Sequence, residues 1–207
     1  MRSVEHLIEQ HHLAQESKNL LRWRLIFEEY QQDFLFNELE LSKDSFLDVG
    51  TGDGAFVHYL RTEKGNRHVN GIDKDAAQES DYLSSGDILN IPYADHLFDQ
   101  TISRNVMHAV MLQSDGDVRK AIQELVRVTR NGGKVSYSTH NPKIILERIR
   151  DSNELSSEQK ESITKRFENN LDTESATLKE LESLGHAITT IMRNKRKVVL
   201  IRLREVQ

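Results

Sequence analysis

The chain has 207 residues, of which 37% are hydrophobic and 29% are charged, and its formal net charge is -5. This length supports one sizeable hydrophobic core with an added cap. Because cysteine is absent, disulfides, thiolate nucleophiles and cysteine-ligated metal sites are excluded, and the acidic balance argues against a general nucleic-acid-binding domain. Apolar runs fall short of the roughly 18 residues of a membrane span. The start of the sequence carries acids and histidines instead of a secretory signal, so we expect a cytoplasmic protein.

The first 44 residues are predicted to form a helical cap. Apolar residues recur there at helical spacing, and the run from Leu20 to Leu41 contains neither glycine nor proline. We therefore expect two or three helices. The first of them carries His6, His11 and His12, but their spacing is not that of a zinc site, so we predict a solvated helix face and no bound metal.

From residue 45 onward, the pattern alternates between strand and helix. Strands are predicted at 45–49, at 68–72, just before Gly86, at 98–103 and at 134–139. Such repeated βα units imply a parallel, doubly wound sheet. Two further strands, at 187–192 and 197–203, are separated by a short basic turn and should form an antiparallel hairpin.

These elements predict an α/β fold: a doubly wound, Rossmann-like sheet of seven strands, mostly parallel, with a C-terminal antiparallel hairpin. Residues 1–44 would be the helical cap and residues 45–207 the main domain. Within that domain, the polar segment 142–177 is too long for an ordinary connection and is predicted to be a helical insert or lid.

The segment 46–56, FLDVGTGDGAF, places three glycines at alternate positions between a predicted strand and a predicted helix. Glycine lets the chain turn tightly and lets a ligand approach the backbone. A turn of this kind is where open α/β sheets bind nucleotide-like cofactors. It is not a phosphate-binding P-loop, because no lysine follows the glycines.

Polar residues also end the next three strands. Asp73 follows the glycines by about twenty residues, where an acid can accept hydrogen bonds from both hydroxyls of a ribose. Asp87 stands beside Ile88, and a carboxylate next to an apolar side chain suits an adenine ring. Arg104 and Asn105 end the fourth strand. Because the carboxyl ends of parallel strands meet at one edge, we expect a cleft for a nucleoside-bearing ligand there.

This ordered series resembles the class I S-adenosylmethionine-dependent methyltransferases, close to their small-molecule group, over about residues 45 to 203. The family's first motif, an acid followed by x-G-x-G-x-G, matches 48–54, and its ribose and adenine acids fall on Asp73 and Asp87. The chain departs from the family at Arg104, usually a small or polar residue, and at His108, often an acid. The predicted cofactor-binding residues are Asp48, Gly50, Thr51, Gly52, Asp73, Lys74, Asp87, Ile88, Arg104 and Asn105.

The resemblance implies S-adenosylmethionine as the cofactor and methyl transfer to an O, N or C nucleophile of a small molecule. Asp48 and nearby carbonyls would supply negative potential for the ammonium group of the cofactor. Orientation of the acceptor can supply much of the catalysis, and a general base helps only when the acceptor must lose a proton. His140, just after the fifth strand, is a candidate base, whereas His108 is interpreted as the start of a helix.

Three alternatives remain open. The glycine pattern with Asp73 would also suit an NAD-dependent oxidoreductase, although Asp48 and the terminal hairpin argue against it. A non-catalytic scaffold would bind the cofactor without turnover. An RNA or protein methyltransferase is the third, and the basic turn of Arg193, Lys195, Arg196 and Lys197 is either a solvated hairpin tip or a contact for RNA or an anionic substrate.

Overall fold

The structure is a computed structural model that describes residues 4–75, 80–113, 117–193 and 195–205, with side chains from residue 18 onward. Its strands are β1 (Phe46–Val49), β2 (Val69–Asp73), β3 (Leu83–Ser85), β4 (Phe98–Arg104), β5 (Thr129–His140), β6 (Ala187–Arg193) and β7 (Arg196–Arg202). Its helices are α1 (Val4–Phe34), α2 (Glu38–Lys43), α3 (Ala55–Thr62), α4 (Met107–Leu112), α5 (Val118–Val128), α6 (Pro142–Asp151) and α7 (Ser157–Ser183).

The seven strands form one sheet in the order β3-β2-β1-β4-β5-β7-β6. Pairs from β3 to β5 are parallel, whereas β7 runs antiparallel to both β5 and β6. The predicted fold class, a Rossmann-like sheet with a C-terminal antiparallel hairpin, is confirmed. The reversal of strand order beside β1 places the carboxyl ends of β1 and β4 next to each other, which is where open sheets bind ligands.

The N-terminal region is dominated by one 31-residue helix, α1, followed by the short α2. The helix ends where Leu35 adopts a left-handed backbone, and α2 begins with a capping box between Asn37 and Glu40. Helix α1 packs on α3 through aromatic rings, with Tyr30 and Phe56 stacked at 4.3 Å between centroids. The N-terminal helices therefore share a hydrophobic core with one face of the sheet. The side chains of His6, His11 and His12 lie outside the described residues.

The opposite face of the sheet is covered by α4, α5 and α7. The predicted insert, 142–177, forms α6 and most of α7, and Phe167 of α7 is fully buried in the core. Strand β5 begins earlier than predicted because Thr129 already pairs with Phe98, ahead of a register shift. None of the helices described is both long and apolar enough to cross a membrane.

Candidate cofactor and acceptor site

The loop after β1 is shaped by glycines in a left-handed conformation. Gly50 has φ +77°, and a Cβ atom there would lie 2.1 Å from Cγ2 of Val106 at the start of α4. Only glycine fits this close approach. Gly54, with φ +76°, is the N-cap of α3. The loop thus presents bare backbone at the carboxyl end of β1.

Asp48 lies beneath this loop and is fully buried. Its carboxylate accepts hydrogen bonds from the hydroxyl of Tyr30, at 3.2 Å to each oxygen, and from Thr51 Oγ1 at 2.8 Å. Burial raises the pKa of Asp48 to about 7, although the bonds from Thr51 and Tyr30 and the charge of Arg104 act in the opposite direction. Asp48 and Thr51 therefore support the loop from below, and their side chains do not line the cleft above it.

That cleft, which we call the cofactor cleft, has a volume of about 240 Å³ and lies over the ends of β1, β2 and β4. Asp73 connects two of its walls: its Oδ2 accepts from the Gly52 amide at 2.7 Å, and its Oδ1 from the Asp75 amide at 3.0 Å. An ionised carboxylate has about four acceptor positions, so Asp73 keeps capacity for the hydroxyls of a ribose. The predicted residues that line the cleft are Gly50, Asp73, Lys74, Asp87, Ile88 and Asn105.

Asp87 and Ile88 form the far end of the cofactor cleft. Asp87 Oδ1 accepts from the Leu89 amide at 2.9 Å, and its Oδ2 lies 3.4 Å from Lys74 Nζ. Both members of this ion pair are substantially exposed, so a ligand can displace the lysine at little cost. The carboxylate beside an apolar side chain is the arrangement that the sequence predicts for an adenine.

Asn105 adopts a left-handed backbone with φ +60°, and its backbone N–H donates to the carbonyl oxygen of Ser138 at 3.0 Å. Its Oδ1 is buried and has no hydrogen-bond partner within the described ranges. Leaving a buried acceptor unpaired costs about 1–3 kcal/mol. Asn105 is also one of the residues that line the cofactor cleft, so this unpaired acceptor belongs to the wall of the cleft.

Arg104 points elsewhere. Its Nε donates to Asp33 Oδ2 at 2.9 Å, it also pairs with Glu29, and its guanidinium lies 5.2 Å from the ring centroid of Tyr30. These partners belong to α1. Arg104, predicted to bind the cofactor, therefore directs its side chain away from the cofactor cleft.

Arg104 instead lines a second cavity of about 800 Å³, bounded by α1, the end of β4 and the β6–β7 turn, which we call the charged pocket. Its lining residues are Glu29, Gln32, Asp33, Arg104, Arg193, Lys195 and Arg196. Sequence reasoning did not find this pocket, because its walls come from three distant segments. The basic turn at 193–197 was the one available signal.

His108 and His140 lie together at the ends of β4 and β5, with 4.7 Å between ring centroids. Burial, with His140 and Arg148, lowers the pKa of His108 to about 4. Burial, with the charges of Arg148, Arg196 and Arg104, lowers the pKa of His140. Both imidazoles are therefore neutral at pH 7. His140 pairs in register with Arg196 of β7, and Arg196 lines the charged pocket.

Among the residues with described side chains, no group of three or more His, Asp or Glu is arranged to hold a metal ion.

The sheet order, the glycine loop and the acids after β2 and β3 are arranged as expected for a class I S-adenosylmethionine-dependent methyltransferase. Residues 47–137 match the family model described as "Methyltransferase domain". The part of the chain that carries the cofactor cleft therefore matches a methyltransferase domain, and S-adenosylmethionine is the cofactor that this match supports. The sequence matches no curated protein.

Solved structures share this fold at low sequence identity. A candidate S-adenosylmethionine-dependent methyltransferase from Listeria monocytogenes has a TM-score of 0.59 and 15% identity, covering 87% of this chain and 100% of its own. One from Methanococcus maripaludis has a TM-score of 0.54 and 19% identity, covering 95% and 93%. The plantazolicin methyltransferase BpumL, solved in complex with a monoazolic desmethylPZN analog and SAH, has a TM-score of 0.56 and 13% identity, covering 96% of this chain and 90% of its own.

Proposed function

We propose that the chain transfers a methyl group to an O, N or C nucleophile of a small molecule that binds in the charged pocket. The observation that carries this proposal is the end of β4, where consecutive residues face the two cavities. Asn105 lines the cofactor cleft and Arg104 lines the charged pocket. A volume of about 800 Å³ is in the range of small-molecule sites.

The residues of the cofactor cleft fit S-adenosylmethionine. The Asp73 carboxylate would accept from the ribose hydroxyls, and Asp87 with Ile88 would hold the adenine. The Gly50 backbone and the unpaired Asn105 Oδ1 would receive the methionine end with its ammonium. The cofactor supplies a methyl group that is activated by its positively charged sulfur. The chain's own part is to orient the acceptor and keep water out, and α1, which lines the charged pocket, is our candidate for the enclosing wall. No residue of the fully described segment 142–177 lines either of the two cavities.

We also propose a cytoplasmic location, which rests on the cysteine-free composition, and an acceptor that is not a nucleic acid, which rests on the net charge of -5. The test is to incubate the protein with S-adenosylmethionine and a small-molecule extract, and to follow S-adenosylhomocysteine release and new methylated products by mass spectrometry. Calorimetry on the same sample measures cofactor binding. Binding without turnover would favour a scaffold, and methylated RNA or protein would replace the proposed acceptor.

His140→Asn is expected to lower kcat by about a hundredfold with an acceptor that must lose a proton, with little change in the KM for the cofactor. The neutral imidazole is the base in this proposal. Because the pKa of His140 lies below the usual 6.5, the wild-type rate should stay high below pH 6.5 and fall only at more acidic pH. His186→Asn is the matched control, since burial also lowers the pKa of that histidine, at the far end of α7. An unchanged kcat in His140→Asn would remove His140 from the mechanism.

A further inference from the structure

We infer that the charged pocket binds a carboxylate, so that the methyl acceptor is a small organic acid. This inference rests on the proposed function, which places the acceptor in that pocket. It goes beyond it by naming the charged group that the acceptor carries.

The lining of the pocket has a strong excess of positive charge. Four of its side chains are basic and two are acidic, a net charge of +2 in a chain whose overall net charge is -5. Local charge opposed to the global balance is what concentrates an oppositely charged ligand in a cavity. The net charge of this lining disfavours a cationic acceptor relative to an anionic one.

The guanidinium groups of the pocket already bind carboxylates within the protein. Arg104 and Arg196 both pair with Asp33, and both lie near Glu29, with Arg196 Nη2 at 3.9 Å from its carboxylate. Arginine matches a carboxylate with two parallel donors. Arg104 and Arg196 are engaged by the acids of α1, so they show that carboxylates fit this pocket, and a bound acid would use the remaining basic side chains of its lining.

The acids of α1 do not neutralise the whole pocket. Within the described part of the chain, Glu29 and Asp33 pair with Arg104 and Arg196, and Arg193 donates to the backbone carbonyl of Gln32. Lys195 is exposed at the rim of the pocket. The charge that remains available to a ligand is therefore on the β6–β7 turn.

A buried polar atom beside these arginines also lacks a partner. Ser138 is fully buried, and its Oγ has no hydrogen-bond partner in the described ranges. Ser138 pairs in register with Arg104 of β4, so the two side chains lie on the same face of the sheet. His140, two residues further along β5, shares this face. This hydroxyl is an unpaired polar group close to the arginines, although Ser138 is not among the residues that line the pocket.

The charges on this edge also act on its histidine. Burial, and then the positive charges of Arg148, Arg196 and Arg104, lower the pKa of His140, and two of these arginines line the pocket.

The test uses three four-carbon probes of the same length: succinate, its neutral isostere succinamide, and the dication 1,4-diaminobutane. Binding to the full chain is followed by the amide NMR shifts of residues around the β6–β7 turn, at low and at high salt. Succinate is expected to bind at least about tenfold more tightly than either other probe, and more weakly as salt rises. Equal binding of succinamide or 1,4-diaminobutane, or failure of succinate to bind the pocket, would overturn the inference.

Variants then locate the charge. Lys195→Gln should weaken the binding of succinate by about fivefold, as expected for the loss of one nearby unit charge in water. The double variant that also carries Arg193→Gln should bind succinate more weakly still. Lys179→Gln removes the same charge from an exposed position of α7 and should change nothing. A loss equal in Lys179→Gln and Lys195→Gln would mean non-specific attraction and would count against the pocket.

Calorimetry with S-adenosylmethionine on the same samples separates the two proposals. If succinate binds as expected and the cofactor does not, the proposed methyl transfer fails while the anion site stands. If the cofactor binds and succinate shows no preference, the acceptor class is wrong and the methyl transfer stands.

Discussion

Asp73→Ala is expected to weaken S-adenosylmethionine binding by at least about a hundredfold while the protein stays folded. The substitution removes the acceptors for the ribose hydroxyls, and each hydrogen bond to a charged group contributes about 1.5–3 kcal/mol. It also removes Oδ2 of Asp73, which accepts a hydrogen bond from the backbone amide of Gly52 at 2.7 Å and so holds the glycine loop in place. Isothermal titration calorimetry gives the affinity, and a urea unfolding curve gives the stability.

Two further variants make this prediction specific. Asp73→Asn keeps one oxygen for the Gly52 amide and should lose less affinity than Asp73→Ala. Asp172→Ala removes an exposed acid from α7 and should leave the affinity unchanged. If Asp73→Ala lost as much unfolding free energy as binding free energy, Asp73 would be a structural cap of the loop and not a cofactor ligand.

The fold could be predicted from the sequence because its signals are local. The glycines of the first loop, the acids at strand ends and the short hairpin turn each lie within a few residues of the element that they define. The structure confirms the sheet and places Gly50, Asp73, Asp87 and Asn105 around one cleft, as predicted. Their role as cofactor ligands is still a prediction.

Arg104 shows where sequence reasoning stops. The sequence correctly predicts Arg104 at the end of β4. The direction of its side chain, however, depends on a hydrogen bond to Asp33, which is 71 residues away in the sequence. No periodicity or motif links two such positions. The same holds for the charged pocket and for the contact between His108 and His140, which only the packing of α1, α4 and the hairpin brings together.

The predicted start of β5 was wrong for a different reason. Asn131, Gly132 and Gly133 are typical of a turn, and a Cβ on Gly133 would lie 2.7 Å from the Asp99 carbonyl oxygen. Gly133 therefore permits a close approach inside the strand pair, at the register shift between β4 and β5. A turn and a β-bulge favour the same residues, so the sequence alone does not distinguish them. The pairing of β5 with β4 does.

Asp48→Asn is expected to stabilise the cofactor-free protein at neutral and alkaline pH. Burial raises the pKa of Asp48 from 3.8 to about 7 in the folded state. Folding therefore takes up a proton between these pH values, so wild-type stability falls as pH rises from about 4 to about 7, by about 1.4 kcal/mol per pH unit. Asparagine does not titrate, and its side-chain oxygen can still accept from Tyr30 and Thr51.

The stability difference between Asp48→Asn and wild type should thus be smallest near pH 4, grow through pH 5 and 6, and level off above pH 7 at roughly 1–4 kcal/mol. Urea unfolding of both proteins at each pH measures it, and taking the difference cancels the titration of all shared groups. Thr51→Val tests the same carboxylate from its partner: removing the hydroxyl takes away a bond that lowers the pKa, so its stability should fall further with rising pH than that of wild type. A pH-independent difference for Asp48→Asn would mean that the carboxylate is ionised throughout. The ionised carboxylate of Asp48 would then be stable beneath the glycine loop despite its burial.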